Sequence, residues 1–371
     1  MLADPRGTPI SLARRAAGLL AVGFLVLGGA ELGSRLDDWM FLGISPLANP
    51  DYDSDLRLSD DGFVRGRPNG RFKRWQLNEY GFNGAPNPLL PSPDCRRVIV
   101  LGASETFGAY ESPGQEFVAE LRRRLPDTPC FEVINGSIAG MSVRSATAYW
   151  NGWVERFRPD VALLYPNPLL SLYISDDSDG HCALPRPADK VTAPAAPNGF
   201  SSRFLDRLRD AIDKPQWLVD AQIQWTVARV VRAHAAGWVL EEVPPQCVAS
   251  FRSEVEELIG AVAATGALPV VVTHAFRSEP HEKQTHLWLR RWVPRVEGEG
   301  QVRYHQAAND SLRSLAASSP VGLFDADAVL RGCDACFADP VHFSDEGAAR
   351  LASALASFLV DLPRQGEHAL Q

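Results

Sequence analysis

An aspartate stands three residues before a histidine near the C-terminal end of the chain. Asp339 and His342 lie in FADPVHFSDEG, residues 337–347. An aspartate at this spacing can hold an imidazole in one tautomer and stabilise its protonated form. A histidine held in that way ordinarily acts as the general base for a nucleophile. The pair therefore indicates two members of a catalytic triad and requires a nucleophile elsewhere in the sequence.

Ser104 is the candidate nucleophile, because it follows closely on a short apolar run. RRVIVLG, residues 96–102, is rich in β-branched residues and is typical of a buried strand. Gly102, Ala103 and Ser104 then make a tight turn, which would lift the serine side chain out of a sheet at its carboxyl edge. The GxSxG elbow of α/β-hydrolases is absent, since Thr106 stands at the position of its second glycine.

Two later positions could supply hydrogen-bond donors to a substrate oxygen. Gly140 in NGSIAGMS follows the apolar run FEVING, residues 131–136, and offers a bare backbone N–H. Asn167 in LLYPNPL follows DVALLY, residues 160–165, and offers a side-chain amide. Taken alone, each residue is explained as well or better by an ordinary turn.

The elements that must position these residues alternate along the chain. Apolar runs typical of strands alternate with segments of helical spacing, which implies a parallel sheet covered by helices on both faces. Functional groups in such sheets lie at the carboxyl ends of the strands, where Ser104, Gly140 and Asn167 fall. The sequence predicts strands over 96–102, 131–136, 160–165, 268–274 and 321–326, and helices over 114–125, 142–157, 253–267 and 345–360.

In their order, these residues resemble the SGNH/GDSL hydrolase family. LGASETFG is similar to the family's first block, NGSIAG to its second, LLYPNP to its third and DPVHFSDEG to its last. The resemblance covers roughly residues 94–180 and 253–360, and LNEYGFNG (77–84) also resembles a membrane-anchored bacterial branch. It implies an α/β three-layer sandwich with a five-stranded, flavodoxin-like parallel sheet.

The resemblance also implies a role for each site residue. Ser104 would be the nucleophile, His342 its general base and Asp339 the carboxylate that orients the imidazole. The backbone N–H groups of Ser104 and Gly140 and the side-chain amide of Asn167 would form the oxyanion hole. No metal or organic cofactor would be required.

The chain departs from the family's pattern at three positions. Ala103 replaces the aspartate of the GDS motif, and Pro168 replaces the aspartate of the GxND motif. Neither replaced aspartate belongs to the family's triad or oxyanion hole, although Pro168 could change how the Asn167 loop closes. Tyr165 stands where the family prefers glycine, and we expect it to narrow the site.

The pattern divides the chain into four parts and one insertion. Residues 181–250 interrupt the alternation with two amphipathic helices and are interpreted as a helical cap, whose Trp217 and Trp225 either pack onto the core, the favoured alternative, or contact substrate. The parts are a signal peptide or membrane anchor (1–35), an irregular or short-stranded extension (36–92), the hydrolase domain (93–362) and a tail (363–371).

The N-terminal segment indicates export. Residues 16–30, AAGLLAVGFLVLGGA, carry no charge and follow Arg14 and Arg15. This length suits a signal-peptide core, and Gly28-x-Ala30 resembles a cleavage site, but a short span retained over 16–32 remains an alternative. In either case the arginines favour a cytoplasmic N-terminus, with the rest of the chain periplasmic or extracellular.

The six cysteines, an even number, suit an oxidising compartment. In the sheet that the family resemblance implies, Cys95 and Cys130 precede neighbouring parallel strands and would form a disulfide at the amino edge. The CDAC motif alternatively suggests a redox motif or half of a zinc site, but the sequence has no second CxxC. The remaining pairs would then be Cys182 with Cys247 and Cys333 with Cys336.

The resemblance and the location together imply a serine esterase. The expected reaction is hydrolysis of an acyl ester, with acetyl as the expected acyl group, on an extracytoplasmic glycan or a related small ester. An O-acyltransferase acting on a cell-envelope polysaccharide and a non-catalytic envelope or polysaccharide-assembly protein remain as alternatives. The net charge of −8 excludes the basic footprint of a nucleic-acid-binding protein.

The topology can be tested directly with a fusion. A reporter that fluoresces only in the cytoplasm, fused to the C-terminus of the full chain, should stay dark, because the arginine-flanked segment directs the following residues outward. The same fusion without residues 1–35 should fluoresce. Bright fluorescence from the intact full-length fusion would contradict this topology.

Overall fold

The computed structural model describes residues 9–49, 51–60, 62–173, 182, 202–212, 215–277 and 283–363. The chain divides into two compact units: 1–55 with 71–75 and 191–214, and 56–70 with 76–190 and 215–371. The strands are β1 Arg57–Asp60, β2 Phe63–Gly66, β3 Arg71–Phe72, β4 Trp75–Gln76, β5 Cys95–Gly102, β6 Cys130–Asn135, β7 Val161–Tyr165, β8 Leu268–Val272 and β9 Gly322–Phe324. The α-helices are α1 Pro9–Leu42, α2 Tyr52–Leu56, α3 Ser104–Phe107, α4 Phe117–Arg124, α5 Val143–Gly152, α6 Arg203–Ala211, α7 Gln216–Arg232, α8 Gln246–Ala264, α9 Lys283–Trp292, α10 Gly298–Ser318, α11 Ala326–Leu330 and α12 Asp345–Asp361.

A five-stranded parallel sheet forms the centre of the larger unit. Its strand order is β6-β5-β7-β8-β9, so β5 pairs with β6 on one side and with β7 on the other. This is the doubly wound order in which the first sheet strand lies between the second and the third. The predicted fold class is therefore confirmed, and each predicted strand is present, with ends that differ by no more than two residues.

The two faces of the sheet bury two separate apolar clusters. Val98 and Val100 of β5 point to the face covered by α4 and α12, whereas Ile99 and Leu101 point to the face covered by α5, α8 and α10. All four side chains are at most 2% exposed. Because successive strand residues alternate between faces, a strand covered on both sides must be apolar throughout, which explains the continuous run VIVL.

Part of the N-terminal extension forms an antiparallel hairpin in the larger unit. β1 pairs with β2 in a register that sets Arg57 opposite Gly66. Gly66 lies so close to the turn at Gly81 that a Cβ on Gly66 would meet the Gly81 carbonyl oxygen at 1.9 Å. Only glycine allows this approach, so LNEYGFNG is fixed against the hairpin. The extension was predicted to be irregular or short-stranded, and these residues form two short strands.

The smaller unit contains α1, which is much longer than the apolar run 16–30. By length and composition alone, Arg14–Phe41 is able to cross a membrane, although a signal sequence meets the same criterion. The uncharged run ends at Glu31, which accepts a hydrogen bond from Arg35 at 2.6 Å. About two turns further on, Asp38 pairs with Arg203 of α6 at 3.0 Å. One side of the helix therefore carries buried ionic contacts after Glu31, while Trp39, Met40 and Phe41 remain exposed.

The predicted insertion contributes helices to both units. α6 belongs to the smaller unit and α7 to the larger one, and both occur where the amphipathic patterns predicted them. Residues 183–201 of the insertion lie outside the described residues. Trp217 and Trp225 of α7 are 69% and 63% exposed, so the interpretation that they pack onto the core is wrong.

All three predicted disulfides are present. Cys95 and Cys130 are direct register partners at the amino ends of β5 and β6, with their Cα atoms 4.5 Å apart. The other bonds join Cys182 to Cys247 and Cys333 to Cys336. The first bond closes the amino edge of the sheet, opposite the edge at which Ser104 lies.

Replacing Cys95 and Cys130 together by serine should lower the free energy of unfolding by about 3–4 kcal/mol, because the bond closes a loop with a sequence separation of 35. Denaturant titration under non-reducing conditions measures the loss. As a matched control, serine at both Cys333 and Cys336 opens a loop with a separation of only 3 and should cost less. Unchanged stability of the first variant would refute the stabilising role.

Candidate active site

The structure brings together the three residues that the sequence nominated as a triad. Ser104 Oγ lies 2.8 Å from Nε2 of His342, and Nδ1 of His342 lies 2.7 Å from Oδ2 of Asp339. The other carboxylate oxygen of Asp339 accepts the backbone N–H groups of Val341 and His342, at 3.0 and 2.9 Å. Both oxygens of the carboxylate are therefore engaged, and the imidazole is held at both nitrogens.

Ser104 is positioned by the abrupt change from β5 to α3. The strand ends at Gly102 and the helix begins at Ser104, so the turn has a single intervening residue. A Cβ on Gly102 would lie 2.3 Å from Oγ1 of Thr106 and 3.1 Å from Cβ of Tyr165. Glycine is needed here for close approach, and the turn raises Ser104 to the carboxyl edge, as predicted from the sequence.

His342 is held by a closed loop before α12. The Ala338 N–H donates to the His342 carbonyl at 2.9 Å, which makes the loop a tight bend around Asp339. Ser344 caps α12 by accepting the N–H of Gly347 at 3.2 Å. The loop is therefore anchored at both ends, and little backbone freedom remains at the imidazole.

Two aromatic rings flank the imidazole of His342. Tyr110 stacks on it with ring centroids 4.4 Å apart, and Trp292 meets it edge-on at 6.2 Å. Burial lowers the pKa of His342, but the hydrogen bond to Asp339 and the charges of Asp339, Glu105 and Glu111 outweigh it, so the net pKa is raised. Burial raises the pKa of Glu111 to about 7. The histidine is therefore surrounded by acidic groups that favour its protonated form.

Asn167 lies in the same cavity as Ser104 and His342. Its Oδ1 accepts the Leu169 N–H at 2.9 Å, and its Nδ2 donates to Oε1 of Glu105 at 2.5 Å. One N–H of the amide remains for another acceptor. The cavity has a volume of about 220 Å³ and is lined by Ser104, Glu105, Asn167, Leu169, Leu170, Trp292, Val341 and His342.

Gly140 lies on the loop after β6 and is not among the residues that line this cavity. Its φ of +76° is in the left-handed region that favours glycine. Arg57 of β1 donates a hydrogen bond to the carbonyl of the preceding Ala139. The hairpin thus holds the loop that carries Gly140, whose contribution to an oxyanion hole stays a prediction.

The three departures from the family pattern have structural explanations. Ala103 is fully buried in the turn before Ser104. Tyr165 is buried and its hydroxyl accepts the Ala275 N–H at 2.8 Å, so it fills the core and does not line the cavity, contrary to the expectation that it narrows the site. Pro168 begins a 3-10 turn and its carbonyl accepts the Tyr304 hydroxyl at 3.2 Å, so the Asn167 loop closes around it.

Sequence reasoning missed several residues that touch the site. Tyr110 and Trp292 lie outside the motifs, and Glu105 lies within LGASETFG without a role assigned to it. His274 lies two residues past the end of β8, within the predicted strand 268–274, and its side chain contacts Glu105. The rule that placed Ser104, Gly140 and Asn167 at the carboxyl ends of strands, applied to this fourth strand, would have found it.

Comparisons with known proteins returned similar folds at low sequence identity. A putative lipolytic protein of the G-D-S-L family from Desulfitobacterium hafniense is 9% identical, with 70% of this chain and 98% of that one covered and a TM-score of 0.40. A lipase/acylhydrolase from Enterococcus faecalis is 15% identical over 73% and 98% of the two chains, with a TM-score of 0.41. A mutant acetyl-xylooligosaccharide esterase from Geobacillus Stearmophilus is 15% identical over 71% and 93%, with a TM-score of 0.39. No family model and no curated protein matches.

The class of the molecule follows from its own sheet and from the order of its site residues. The 2-1-3-4-5 parallel sheet carries Ser104 after its first strand, Asn167 after its third, and Asp339 with His342 before the last helix. This is the α/β fold class with a five-stranded parallel sheet that the sequence predicted, and the residues follow the order of the motifs that resemble the SGNH/GDSL family.

The acidic surroundings of His342 predict a specific pH response. A general base must be neutral, so activity should fall as the pH drops through the pKa of His342. Glu111→Gln removes a charge that raises this pKa, so the acidic limb should move to lower pH, by less than about one unit. Profiles of kcat/KM against pH measure the shift. Glu256→Gln, on the surface of α8, is the control and should leave the acidic limb of the profile at the same pH. If Glu111→Gln moved the acidic limb to higher pH, the effect assigned to Glu111 would be contradicted.

Proposed function

We propose that the protein is a serine esterase of the SGNH/GDSL type that hydrolyses acyl esters through an acyl-enzyme. The observation that carries the proposal is the continuous hydrogen-bonded series Ser104–His342–Asp339 at the wall of a small cavity. The serine contacts the imidazole nitrogen that would take its proton, and the aspartate occupies the other nitrogen. This is the arrangement required for nucleophilic catalysis by a hydroxyl.

The reaction would proceed in two halves. Ser104 Oγ attacks the ester carbonyl while His342 Nε2 accepts its proton, and Asp339 stabilises the imidazolium that results. The imidazolium then protonates the departing alcohol, which leaves an acyl group on Ser104. A water molecule, deprotonated by His342, attacks the acyl carbon; the bond to Ser104 Oγ then breaks, His342 returns the proton to Oγ, and the acid is released. The backbone N–H groups of Ser104 and Gly140 and the free N–H of Asn167 would stabilise the oxyanion in both halves.

The cavity supports a short acyl group. Its volume of about 220 Å³ is below the range of pockets that bury drug-sized ligands. Leu169, Leu170 and Val341 provide apolar wall next to Ser104, which suits a methyl or short alkyl chain. Acetyl therefore remains the proposed acyl group.

We propose that the alcohol portion of the ester belongs to an extracytoplasmic glycan. Tyr110 is 52% exposed while its ring covers His342, so an aromatic face lies beside the reacting atoms where the alcohol portion would leave. Export is supported by three disulfides and by the apolar α1, which would anchor the chain in the cytoplasmic membrane if it is retained. The glycan itself is proposed from the family resemblance and from this location.

Ser104→Ala should abolish esterase activity without unfolding the protein, because the hydroxyl is the attacking group. We expect kcat on short-chain nitrophenyl esters to fall by at least about 10³-fold, and His342→Ala to cost a similar factor, because triad members act as a unit. Ser145→Ala, an exposed serine on α5, is the matched control and should retain activity. Circular dichroism checks that each variant is folded.

A fluorophosphonate probe separates this proposal from a non-catalytic role. It should label the wild-type chain and not Ser104→Ala. Comparing free acetate with acetylated sugar, in the presence of a glycan acceptor, distinguishes hydrolysis from transfer. Wild-type turnover by Ser104→Ala, or a wild-type chain that neither hydrolyses esters nor reacts with the probe, would show that the proposed function is wrong.

A further inference from the structure

We propose that Glu105 is a positioning residue that fixes the side-chain amide of Asn167 for the oxyanion. Glu105 is itself held by a hydrogen-bonded pair of buried histidines. The inference rests on the proposed function, because it assigns Asn167 to the oxyanion hole. Glu105, His274 and His305 belong neither to the proposed triad nor to the proposed oxyanion hole. Glu105, His274 and His305 are each at most 1% exposed.

The contacts of Asn167 determine which way its amide faces. Oδ1 accepts the Leu169 N–H, and Nδ2 donates to the carboxylate of Glu105. Rotating the amide by 180° would set its oxygen against the carboxylate and its NH₂ against the Leu169 N–H, which is doubly unfavourable. Glu105 therefore fixes the orientation of the amide, and the second N–H of Nδ2 is left for an acceptor in the cavity.

The carboxylate of Glu105 is in turn held by contacts that lead through His274 to His305. Its Oε1 lies 3.3 Å from Nε2 of His274, and Nδ1 of His274 lies 2.9 Å from Nε2 of His305. The backbone of His274 is clamped by Asn309, which accepts the His274 N–H at 2.9 Å and donates to its carbonyl at 3.0 Å. A series of four side chains thus runs from α10 through the sheet edge to Asn167.

The charges along this series are compatible with an oxyanion nearby. Burial raises the pKa of Glu105, but the hydrogen bond and charge of His274 and the charge of His342 outweigh it, so the net pKa is lowered and the carboxylate is ionised. Burial, His274 and Arg313 all lower the pKa of His305, which stays neutral. The N–H of His274 therefore faces the carboxylate and offsets the repulsion that a bare charge would exert on the oxyanion.

A purely structural role would not require this chemistry. Apolar side chains of similar volume fill a core at least as well as a buried charged pair. Oε2 of Glu105 has no hydrogen-bond partner among the described residues, so the carboxylate is held through Oε1, the atom that also contacts Asn167. Since Glu105 directly follows Ser104, one backbone turn sets both the nucleophile and the amide of the oxyanion hole.

The first test is a double-mutant cycle between Glu105 and Asn167, on the full-length chain. Glu105→Ala should lower kcat by about 10–100-fold with KM nearly unchanged, because an oxyanion donor acts in the transition state. Glu105→Gln keeps an acceptor for Asn167 and should recover part of the loss. In an Asn167→Ala background, Glu105→Ala should cost less than about threefold. An equal cost in both backgrounds, or a loss confined to KM, would overturn the proposal.

Glu111→Gln is the matched control for removal of a buried carboxylate that faces His342. It makes the same chemical change as Glu105→Gln, at a residue that does not contact Asn167. Glu111→Gln should shift the acidic limb of the pH profile by the same amount with and without Asn167→Ala. Glu105→Ala should instead lower the plateau value of kcat. A loss in Glu105→Ala that vanishes at high pH would assign Glu105 to the titration of His342 and overturn its positioning role.

A second measurement does not depend on turnover. In the full-length chain labelled with ¹⁵N-asparagine, the side-chain NH₂ resonances of Asn167, identified by their loss in Asn167→Ala, should shift in Glu105→Gln and not in Glu111→Gln. If they stay in place in Glu105→Gln, the positioning role is refuted, and this variant serves even if Glu105→Ala fails to fold. If the wild type neither turns over nor reacts with the fluorophosphonate probe, the proposed function fails, while the resonances still decide whether Glu105 orients the amide.

Discussion

The position of β5 between β6 and β7 is the constraint on which the site depends. Parallel pairing on both sides forces the loops after these strands to leave at one edge of the sheet. Those loops carry Ser104, Gly140 and Asn167. Because strands are stiff and lie about 4.8 Å apart, three residues distant in sequence are brought to one edge before any side chain contacts another. The loop before α12 then brings His342 and Asp339 to Ser104, and other elements line the cavity.

The amino end of β5 carries contacts that hold the sheet in place. Arg97 is completely buried, yet its guanidinium reaches the carboxylate of Glu132 and the carbonyls of Leu89 and Phe157, at 2.8–2.9 Å. Its backbone N–H donates to Asp160 at 2.7 Å. A buried cation satisfied in this way is costly to disturb. The amino edge is thus held by a disulfide and by ionic contacts, and the carboxyl edge carries the residues of the proposed site.

The sequence was sufficient to predict what depends on order along the chain. Strand after strand, the apolar runs ended where a polar residue began, so the parallel sheet and the candidates Ser104, Asp339 and His342 could be predicted. The pairing of the cysteines came from the strand order that the family resemblance implies. Residues chosen by tertiary packing could not be predicted in this way. His305 contacts His274 only because α10 packs on the sheet with one particular rotation. Tyr110 covers His342 through a loop that has no periodicity to reveal its course.

The exposure of α7 shows the same limit. Its amphipathic pattern correctly predicted a helix, but the favoured packing of Trp217 and Trp225 onto the core was wrong. A helical period specifies that one face is apolar, and it does not specify which surface covers that face. The N-terminal extension shows this limit too. Short strands could be predicted there, but the contact of their hairpin with the loop that carries Gly140 could not.

Because Arg57 donates a hydrogen bond to the Ala139 carbonyl, residues upstream of the sequence motifs help to hold the loop that carries Gly140. A fragment that began at the first sheet strand would include all three residues of the proposed triad. It would lack the guanidinium that braces the turn at Gly140, and also Asn83, which donates to the Phe107 carbonyl at 2.6 Å. A fragment that keeps both contacts must therefore begin near residue 56, and a boundary drawn by motif alone would remove the contacts that hold the segments after β5 and β6.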